Sequence, residues 1–215
     1  MQRYNAPMTF MRWLVASVVL AFGAAALAQP STPVLLVVGD SISAGYGLAQ
    51  GEGWVDLLAG RLKQQGYRER VVNASISGDT TAGGLARLPS LLREHKPAIV
   101  LIELGGNDAL RGGNLQSTRA NLDAMVVAVQ NARAKPLIVG MKVPPNYGPT
   151  YARTFDALFV DVAKAHRTPV VPYVFEGFGE DLALFQGDRI HPTAAAQTRI
   201  LDNVWPVLVP LLARK

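Results

Sequence analysis

The chain has 215 residues, of which 49% are hydrophobic and 17% charged, a composition typical of a folded globular protein and not of a disordered one. The net charge is only +5 and no run of five like charges occurs, which argues against nucleic-acid binding. The absence of cysteine excludes disulfides, thiol nucleophiles and cysteine-ligated metals.

The N-terminus has the pattern of a secretory signal peptide. Arg3 and Arg12 supply the basic region, and residues 13–27 form an uncharged apolar stretch. The small-x-small sequence at 26–28 fits a cleavage site, which makes Gln29 the first residue of the mature chain. An uncleaved membrane anchor is the alternative, but the apolar stretch is short for a membrane span. We therefore expect a periplasmic or secreted protein with no stable anchor after cleavage.

Strand-like and helix-like segments alternate along the remaining chain, 29–215, which we interpret as a single domain after a signal peptide over 1–28. Short apolar runs predict buried strands at 34–38, 71–74, 98–104, 137–143 and 170–173. Apolar residues at helical spacing predict helices at 54–65, 85–94, 117–134, 150–166 and 192–212. Such alternation predicts an α/β fold with one parallel sheet covered on both faces.

Two details of these helices follow from their end residues. Ser117 or Thr118 is predicted to cap the helix at 117–134, and Pro192 suits the first turn of the last helix. In a parallel sheet of this kind, ligands bind at the carboxyl ends of the strands. Residues that perform chemistry are therefore expected directly after the strands.

The first candidate block is the sequence GDSIS at 39–43, directly after the first predicted strand. Ser41 is placed at a helix N-terminus, where backbone N–H groups stabilise an alkoxide or an oxyanion. Serine is also a common N-cap residue, so this block alone is compatible with a nucleophile or a cap. Position 43 is serine, so the G-x-S-x-G motif of ordinary α/β-hydrolases is absent.

Two further blocks follow the second and third predicted strands. Gly78 lies in NASISGD at 73–79, and a glycine there brings a bare backbone N–H close to a ligand. Asn107 lies in ELGGND at 103–108, and its neutral amide is the kind of donor that an oxyanion hole requires. Ordinary turns explain either block equally well when it is considered alone.

The fourth block, DRIHP at 188–192, precedes the last predicted helix. Asp188 is placed to accept a hydrogen bond from one ring nitrogen of His191, which leaves the other nitrogen to face the nucleophile. A capped helix start is the alternative. The other two histidines, His95 and His166, lie near helix ends beside basic residues and are predicted to be solvated surface groups.

Together the four blocks supply a nucleophile, a base, an orienting acid and oxyanion donors after the strands of one sheet. This set is what acyl transfer through a covalent acyl-enzyme requires. The chain contains no H-E-x-x-H and no P-loop motif, so we expect no metal and no cofactor. The expected partner is a small-molecule or lipid acyl ester, with no nucleic acid, and the expected state is a monomer.

These blocks resemble those of the GDSL, or SGNH, hydrolases. GDSISAGY at 39–46 is similar to the first family block, with Ile42 in place of Leu, an exchange that conserves volume. Gly78, GND at 106–108 and D-x-x-H-P at 188–192 match the later blocks in order.

The likeness is strongest to the bacterial periplasmic subgroup of multifunctional thioesterases, arylesterases and lysophospholipases. It is carried by NASISGDT at 73–80, GLARLP at 84–89 and ELGGND at 103–108.

The resemblance implies a three-layer α/β/α flavodoxin-like fold with a five-stranded parallel sheet and no cofactor. It also implies that Ser41 is the nucleophile and that Asp188 and His191 complete the triad. The implied oxyanion hole consists of the Ser41 and Gly78 N–H groups and the Asn107 side chain.

The segment after the fourth strand is the candidate substrate loop. Val143, Pro144, Asn146 and Tyr147 are its candidate binding residues, because the loop leaves the sheet at the edge where the other blocks lie. The resemblance implies that this loop covers the acyl chain and shifts when a long chain binds. An ordinary connection whose prolines set a turn is the alternative.

Two other functions fit the same fold. A carbohydrate O-deacetylase is one, although Trp54 and Trp205 lie in predicted helices and the loop at 143–148 is largely apolar. A non-catalytic binding module is the other, but such a protein usually loses one of the serine, histidine or asparagine groups, and all are present here.

Overall fold

The structure is a computed structural model that describes residues 1–2, 32–143 and 145–213. The expected signal peptide and its cleavage site therefore lie outside the described residues, apart from the first two positions, and so does Pro144. The chain separates into two units, residues 1–31 and residues 32–215. In the described part of the chain, no helix is both long enough and apolar enough to cross a membrane.

Five strands form one sheet in the order β2-β1-β3-β4-β5, and every neighbouring pair is parallel. The strands are β1 (Val34–Gly39), β2 (Arg70–Asn73), β3 (Ile99–Glu103), β4 (Lys135–Val139) and β5 (Val170–Val171). The chain leaves β1 for β2 on one side and returns to β3 on the other. This reversal is the point where ligands bind in open α/β sheets.

Seven α-helices are present in the described residues. The five predicted ones are α2 (Trp54–Gln64), α3 (Thr81–His95), α5 (Leu115–Asn131), α6 (Pro149–His166) and α7 (Ala194–Leu208). Two short helices follow β1 and β3 directly, α1 (Ser41–Ala44) and α4 (Gly106–Leu110). Short 3-10 segments lie at 145–147, 182–184 and 209–211.

The helices cover both faces of the sheet. Every residue of β1 and β3 is buried, which requires cover above and below because successive side chains of a strand point to opposite faces. Helix α2 packs against α7, whereas α3, α5 and α6 pack against each other in series. The predicted three-layer α/β/α architecture is confirmed.

Several predicted element boundaries are wrong, among them the ends of β5, α3 and α7, and three of the differences have a reason in the local structure. Asn114 caps α5, because its side chain accepts from the N–H groups of Gln116 and Ser117. Pro192 precedes the N-cap residue of α7 and therefore lies outside the first turn. Strand β4 ends at Val139, not at position 143, because its neighbour β5 supplies only two residues for pairing.

Candidate active site

The nucleophile candidate lies on a sharp turn at the carboxyl end of β1. Ser41 is the first residue of α1, and the side chain of Asp40 caps that helix by accepting from the Ile42 N–H at 3.0 Å. The helix ends after one turn because Gly45 adopts a left-handed conformation, with φ of 72°. The Ser41 side chain therefore lies at the carboxyl end of the central strand β1, at the start of a helix of only four residues.

Ser41, His191 and Asp188 form a continuous hydrogen-bonded chain. The Ser41 Oγ lies 2.9 Å from His191 Nε2, and His191 Nδ1 lies 2.7 Å from Asp188 Oδ2. An ionised carboxylate only accepts, so Nδ1 carries the proton and the neutral ring offers Nε2 as an acceptor to the serine hydroxyl. The arrangement is the one in which an imidazole removes the proton of a serine.

The carboxylate of Asp188 is held in its ionised form. It accepts from the backbone N–H groups of His191 and Ile190 at 3.0 and 2.9 Å, in addition to the imidazole. The hydrogen bond from the His191 backbone is the largest cause that lowers the pKa of Asp188 to about 2. The carboxylate that holds the imidazole therefore carries its charge at neutral pH.

Gln186 links the loop that contains Asp188 and His191, called the histidine loop below, to the turn that carries Ser41. Its backbone N–H donates to the carbonyl of His191 at 2.7 Å, and its amide donates to the carbonyls of Tyr46 at 2.8 Å and Pro192 at 3.2 Å. One side chain thus joins two segments that are far apart in the sequence. This bridge holds the segments of Ser41 and His191 together in addition to the sheet.

The Gly78 loop is positioned by two arginines. The Arg87 guanidinium pairs with Asp79 at 2.8 Å and donates to the backbone carbonyl of Ala74. Arg111 donates to the carbonyl of Gly78 at 3.0 Å. Gly78 has φ of 80°, a conformation that favours glycine, and its N–H donates to no protein acceptor in the described part of the chain.

Asn107 lies in α4 with its amide in a fixed orientation. Its Nδ2 donates to Asp40 Oδ2 at 3.0 Å, which directs one amide hydrogen toward that carboxyl group and leaves the second for another acceptor. The Ser41 N–H also has no protein acceptor among the described residues. The Ser41 and Gly78 N–H groups and one amide hydrogen of Asn107 thus have no protein acceptor in the described residues.

Beneath this turn lies a pair of buried carboxyl groups that the sequence analysis did not single out. Asp40 is 2% exposed and Glu103 is fully buried. Glu103 Oε2 accepts from Ser43 Oγ at 2.6 Å and from the Asp40 N–H at 3.3 Å. A Cβ at Gly39 would lie 2.6 Å from this oxygen, so glycine is required for the close approach. The sequence does carry a signal for Glu103: it ends the otherwise apolar strand β3, and an unpaired charged side chain is rare in such a buried position.

Burial raises the pKa of both buried acids. For Asp40, desolvation outweighs the hydrogen bonds from the Ile42 N–H and Asn107, which act in the opposite direction. For Glu103, desolvation is again the largest cause, and the nearby charge of Asp40 raises its pKa further. These acids therefore resist ionisation, in contrast to Asp188.

The candidate substrate loop is only partly free to contact a ligand. Val143 is buried at 8% exposure, and Asn146 is exposed. Tyr147 donates its hydroxyl to the carbonyl of Leu110 in α4 at 3.0 Å and stacks on Tyr151 with centroids 6.3 Å apart. Tyr147 thus links the loop to the helix that carries Asn107.

The remaining histidines are less solvated than predicted. Both side chains are only 20% exposed. His166 Nε2 lies 2.8 Å from an oxygen of Asp123, and His95 lies 3.7 Å from Glu94. Neither belongs to the cluster around Ser41. In the described residues, no group of three or more acidic or histidine side chains is arranged to hold a metal ion.

A parallel α/β sheet with a Ser–His–Asp chain at its switch point defines a serine hydrolase. Residues 37–199 match the profile of the GDSL-like lipase/acylhydrolase family, and the protein belongs to that family. The predicted class, a carboxylic ester hydrolase that uses serine, is confirmed by this match and by the relatives of the chain.

Three comparisons document the relationship. Esterase TesA of Pseudomonas aeruginosa is 54% identical over 184 residues, which cover 86% of this chain and 92% of that protein. Thioesterase 1/protease 1/lysophospholipase L1 of Escherichia coli is 40% identical over 210 residues, covering 98% of this chain and 94% of the relative. The crystal structure of TesA superposes with a TM-score of 0.81 at 55% identity, covering 83% of this chain and 99% of that one.

Proposed function

We propose that the protein hydrolyses acyl esters through a covalent acyl-enzyme formed on Ser41, with His191 as general base and Asp188 as the acid that orients it. The observation that carries the proposal is the hydrogen-bonded chain with distances of 2.9 and 2.7 Å. Because those distances are already within hydrogen-bonding range, no rearrangement is needed before the serine proton is removed.

The reaction proceeds in two halves. Ser41 Oγ attacks the acyl carbon while His191 Nε2 takes the hydroxyl proton, and Asp188 stabilises the imidazolium that forms. Collapse of the tetrahedral intermediate breaks the ester C–O bond, and the leaving oxygen departs with the proton from Nε2. Water then attacks the acyl carbon and gives a proton to the same nitrogen, after which the Ser41 Oγ–acyl bond breaks, Ser41 Oγ takes back the proton from Nε2 and the acid is released.

The Ser41 and Gly78 N–H groups and the Asn107 amide are proposed to bind the oxyanion. All three are hydrogen-bond donors without a net charge, fixed in place before the reaction, which is the condition for stabilising a charge that appears only in the transition state. The Asp40 carboxyl supports this role because it holds one amide hydrogen of Asn107 and so aims the other.

The substrate class is proposed from the relatives and the loop together. The relatives are named as an esterase and as a thioesterase and lysophospholipase. We propose that this protein likewise accepts acyl esters, acyl thioesters or lysophospholipids, and that the loop at 143–148 contacts the acyl chain. Each methylene buried there favours the longer chain by up to about 0.8 kcal/mol until the pocket ends.

The mechanism is tested by replacing the nucleophile. Ser41→Ala should lower esterase activity by several orders of magnitude with the fold unchanged, because the covalent step is lost. A serine-directed phosphonate should label Ser41 in the native protein. The matched control is Ser77→Ala, an exposed serine of the neighbouring loop, which should remain active and be labelled at Ser41. Labelling at Ser75 or Ser77 instead would contradict the assignment.

The acyl site is tested with a series of esters that differ only in acyl length. We expect kcat/KM to rise over the first several carbons, and Val143→Ala to flatten that rise while hydrolysis of the acetyl ester changes little. Val160→Ala, at an exposed position in α6, is the control. An equal loss on acetyl and long-chain esters would show that the loop supports the catalytic groups instead. Preference for acetylated sugars over acyl esters would favour the deacetylase.

We also propose that the protein is exported and monomeric, with the signal peptide 1–28 removed and one domain over 29–215. The support is the basic and apolar pattern of the N-terminus and its small-residue cleavage motif. Mass spectrometry of the exported protein should give Gln29 as the first residue, and light scattering should give the mass of one chain. Intact protein that sediments with membranes would favour an anchor.

A further inference from the structure

The phenol ring of Tyr46 lies against the imidazole of His191 at the outer surface of the site. The ring centroids are 4.5 Å apart and the planes are inclined by 41°. Aromatic rings at this separation attract each other. Tyr46 is nevertheless 53% exposed, so a large part of its ring faces solvent beside the catalytic base.

The position of this ring is built into the fold. The Tyr46 N–H donates to the carbonyl of Ser41 at 3.1 Å, and its carbonyl accepts from Gln186 Nε2 at 2.8 Å. Gly45 and Gly47, on either side, both have positive φ, at 72° and 74°. Because both backbone groups are engaged and both neighbours adopt conformations that favour glycine, the turn holds this aromatic side chain in a defined place.

Two more large apolar side chains are exposed in the same blocks. Ile190 directly precedes His191 and is 42% exposed, and Ile76 lies two residues before Gly78 and is 53% exposed. Covering an exposed apolar side chain with a ligand is favourable in proportion to the apolar area removed from water. The surroundings of Ser41 therefore offer apolar contacts in addition to the hydrogen-bonding groups.

The chemistry indicates which part of the substrate meets Tyr46. The oxyanion donors at Gly78 and Asn107 hold the carbonyl oxygen, whereas the leaving oxygen must come within reach of His191 Nε2 to receive its proton. The group attached to that oxygen therefore passes beside the imidazole. Because the Tyr46 ring lies against that imidazole, the leaving group is the part of the substrate nearest to the Tyr46 ring.

We propose that Tyr46 determines leaving-group specificity by forming a site that favours esters of aromatic alcohols, an inference that rests on the proposed function. In acylation, the hydroxyl proton of Ser41 moves to His191 Nε2 as the Ser41 Oγ–acyl bond forms, the bond between the acyl carbon and the aryl oxygen breaks, and the phenol departs with that proton. The Tyr46 ring contacts the departing phenol ring throughout this step. Once the phenol has left, Tyr46 has no part of the substrate to contact.

Kinetics of the two half-reactions distinguish a leaving-group site at Tyr46 from a purely structural role. Every ester of one acid gives the same acyl-enzyme, so deacylation does not depend on the alcohol that has left. A residue that contacts the leaving group changes kcat/KM for one alcohol and leaves the deacylation rate constant unchanged. A residue that only orients His191 changes both half-reactions, because the imidazole acts in each.

The experiment compares two esters of the same acid, an aryl ester and a fluorinated alkyl ester whose alcohol matches the phenol in acidity. Tyr46→Leu removes the aromatic face, Tyr46→Phe retains it, and Tyr67→Leu applies the same change to a tyrosine that packs against Trp205, outside the catalytic blocks. The readouts are kcat/KM for each ester and the deacylation rate constant from burst kinetics.

We expect Tyr46→Leu to lower kcat/KM for the aryl ester by about 3- to 10-fold, the size of one aromatic contact, with less than about 2-fold change for the alkyl ester. Deacylation should be unchanged, and Tyr46→Phe should keep the aryl preference. Equal losses on both esters, a slower deacylation, or no change in the ratio of the two esters would overturn the inference. The proposed function fails separately, if the wild-type protein hydrolyses neither ester or Ser41→Ala hydrolyses both.

Discussion

Two regions of the site use the same chemical group in opposite ways. In the histidine loop, Asp188 is 39% exposed in its side chain, accepts backbone hydrogen bonds and has its pKa lowered to about 2. Beneath the turn that carries Ser41, Asp40 and Glu103 are buried, and burial raises the pKa of each. The first acid is held charged, and the other two are held in surroundings that oppose charge.

In the proposed mechanism, the difference follows from the charge that each region meets in the transition state. A positive imidazolium forms next to Asp188, so a full negative charge there is stabilising. A negative oxyanion forms near Asn107 and Ser41, so a full charge on Asp40 or Glu103 would oppose it. Asp40 and Glu103 serve as hydrogen-bond acceptors that fix the geometry, and desolvation opposes the ionisation of both.

The largest predicted effect comes from removing the charge in the histidine loop. Asp188→Asn should lower kcat by roughly 10³- to 10⁴-fold, because an amide neither stabilises the imidazolium nor enforces the tautomer. Steady-state kinetics on an aryl ester between pH 5 and 9 measures it. Asp202→Asn, which changes an exposed carboxylate paired with Arg61, is the control and should keep its activity. A loss no greater than that of Asp40→Asn would break the comparison between the two regions.

The next effect tests the oxyanion side. Asn107→Ala should lower kcat by roughly 10²- to 10³-fold with a much smaller change in KM, because the amide acts on the transition state. Asn131→Ala, at an exposed position at the end of α5, is the matched control. If only KM rises, Asn107 binds the substrate and does not stabilise the oxyanion.

A smaller effect is expected at Asp40, which acts through Asn107. Asp40→Asn places an amide where two donors, Asn107 Nδ2 and the Ile42 N–H, both need an acceptor. One unsatisfied buried donor costs about 1–3 kcal/mol, so kcat should fall by roughly 5- to 100-fold. A double-mutant cycle measures the coupling: in the Asn107→Ala background the same change should cost little. Full additivity would show that Asp40 does not position Asn107.

The smallest effect concerns stability and pH at Glu103. Because its pKa is raised in the folded state, the native protein binds this proton more tightly, and the free energy of unfolding should fall as pH rises above 4.5, the ordinary value for glutamate. Glu103→Gln imitates the protonated side chain and should therefore weaken that pH dependence. Its effect on the free energy of unfolding should be about 1 kcal/mol, as for a typical single substitution. Urea unfolding at several pH values measures it.

The control for this prediction is Glu180→Gln, an exposed glutamate that should leave the pH dependence unchanged. Asp188 has the opposite sign: its lowered pKa contributes stability above pH 3.8 that is lost as pH falls toward 2. If Glu103→Gln lost stability equally at every pH, the side chain would matter for its hydrogen bonds alone.

The sequence predicts the sheet and the location of the site because both depend on local patterns. Runs of apolar residues such as 34–38 mark strands buried on both faces, and parallel strands bring the residues that follow them to one edge. The segments containing Ser41, Gly78 and Asn107 follow β1, β2 and β3 as expected, although the roles of these residues remain predictions.

What the sequence does not predict depends on contacts between distant segments. Glu103 ends β3, and its importance becomes visible only when Ser43, 60 residues away, donates to it. The bridge from Gln186 to Tyr46 spans 140 residues and has no local pattern. The cap of α5 is a local feature that was missed because Ser117 and Thr118 are also good capping residues, and Asn114 lies just before them.

The hydrogen bond between Ser41 and His191 joins residues 150 positions apart. During synthesis on a ribosome, the segment that contains Ser41 is therefore made long before His191 is added. A chain that lacks its last 25 residues contains the serine and the oxyanion donors but has no group to remove the serine proton. In the proposed mechanism, hydrolysis therefore requires a chain that extends past His191, and the appearance of activity during refolding reports the pairing of Ser41 with His191.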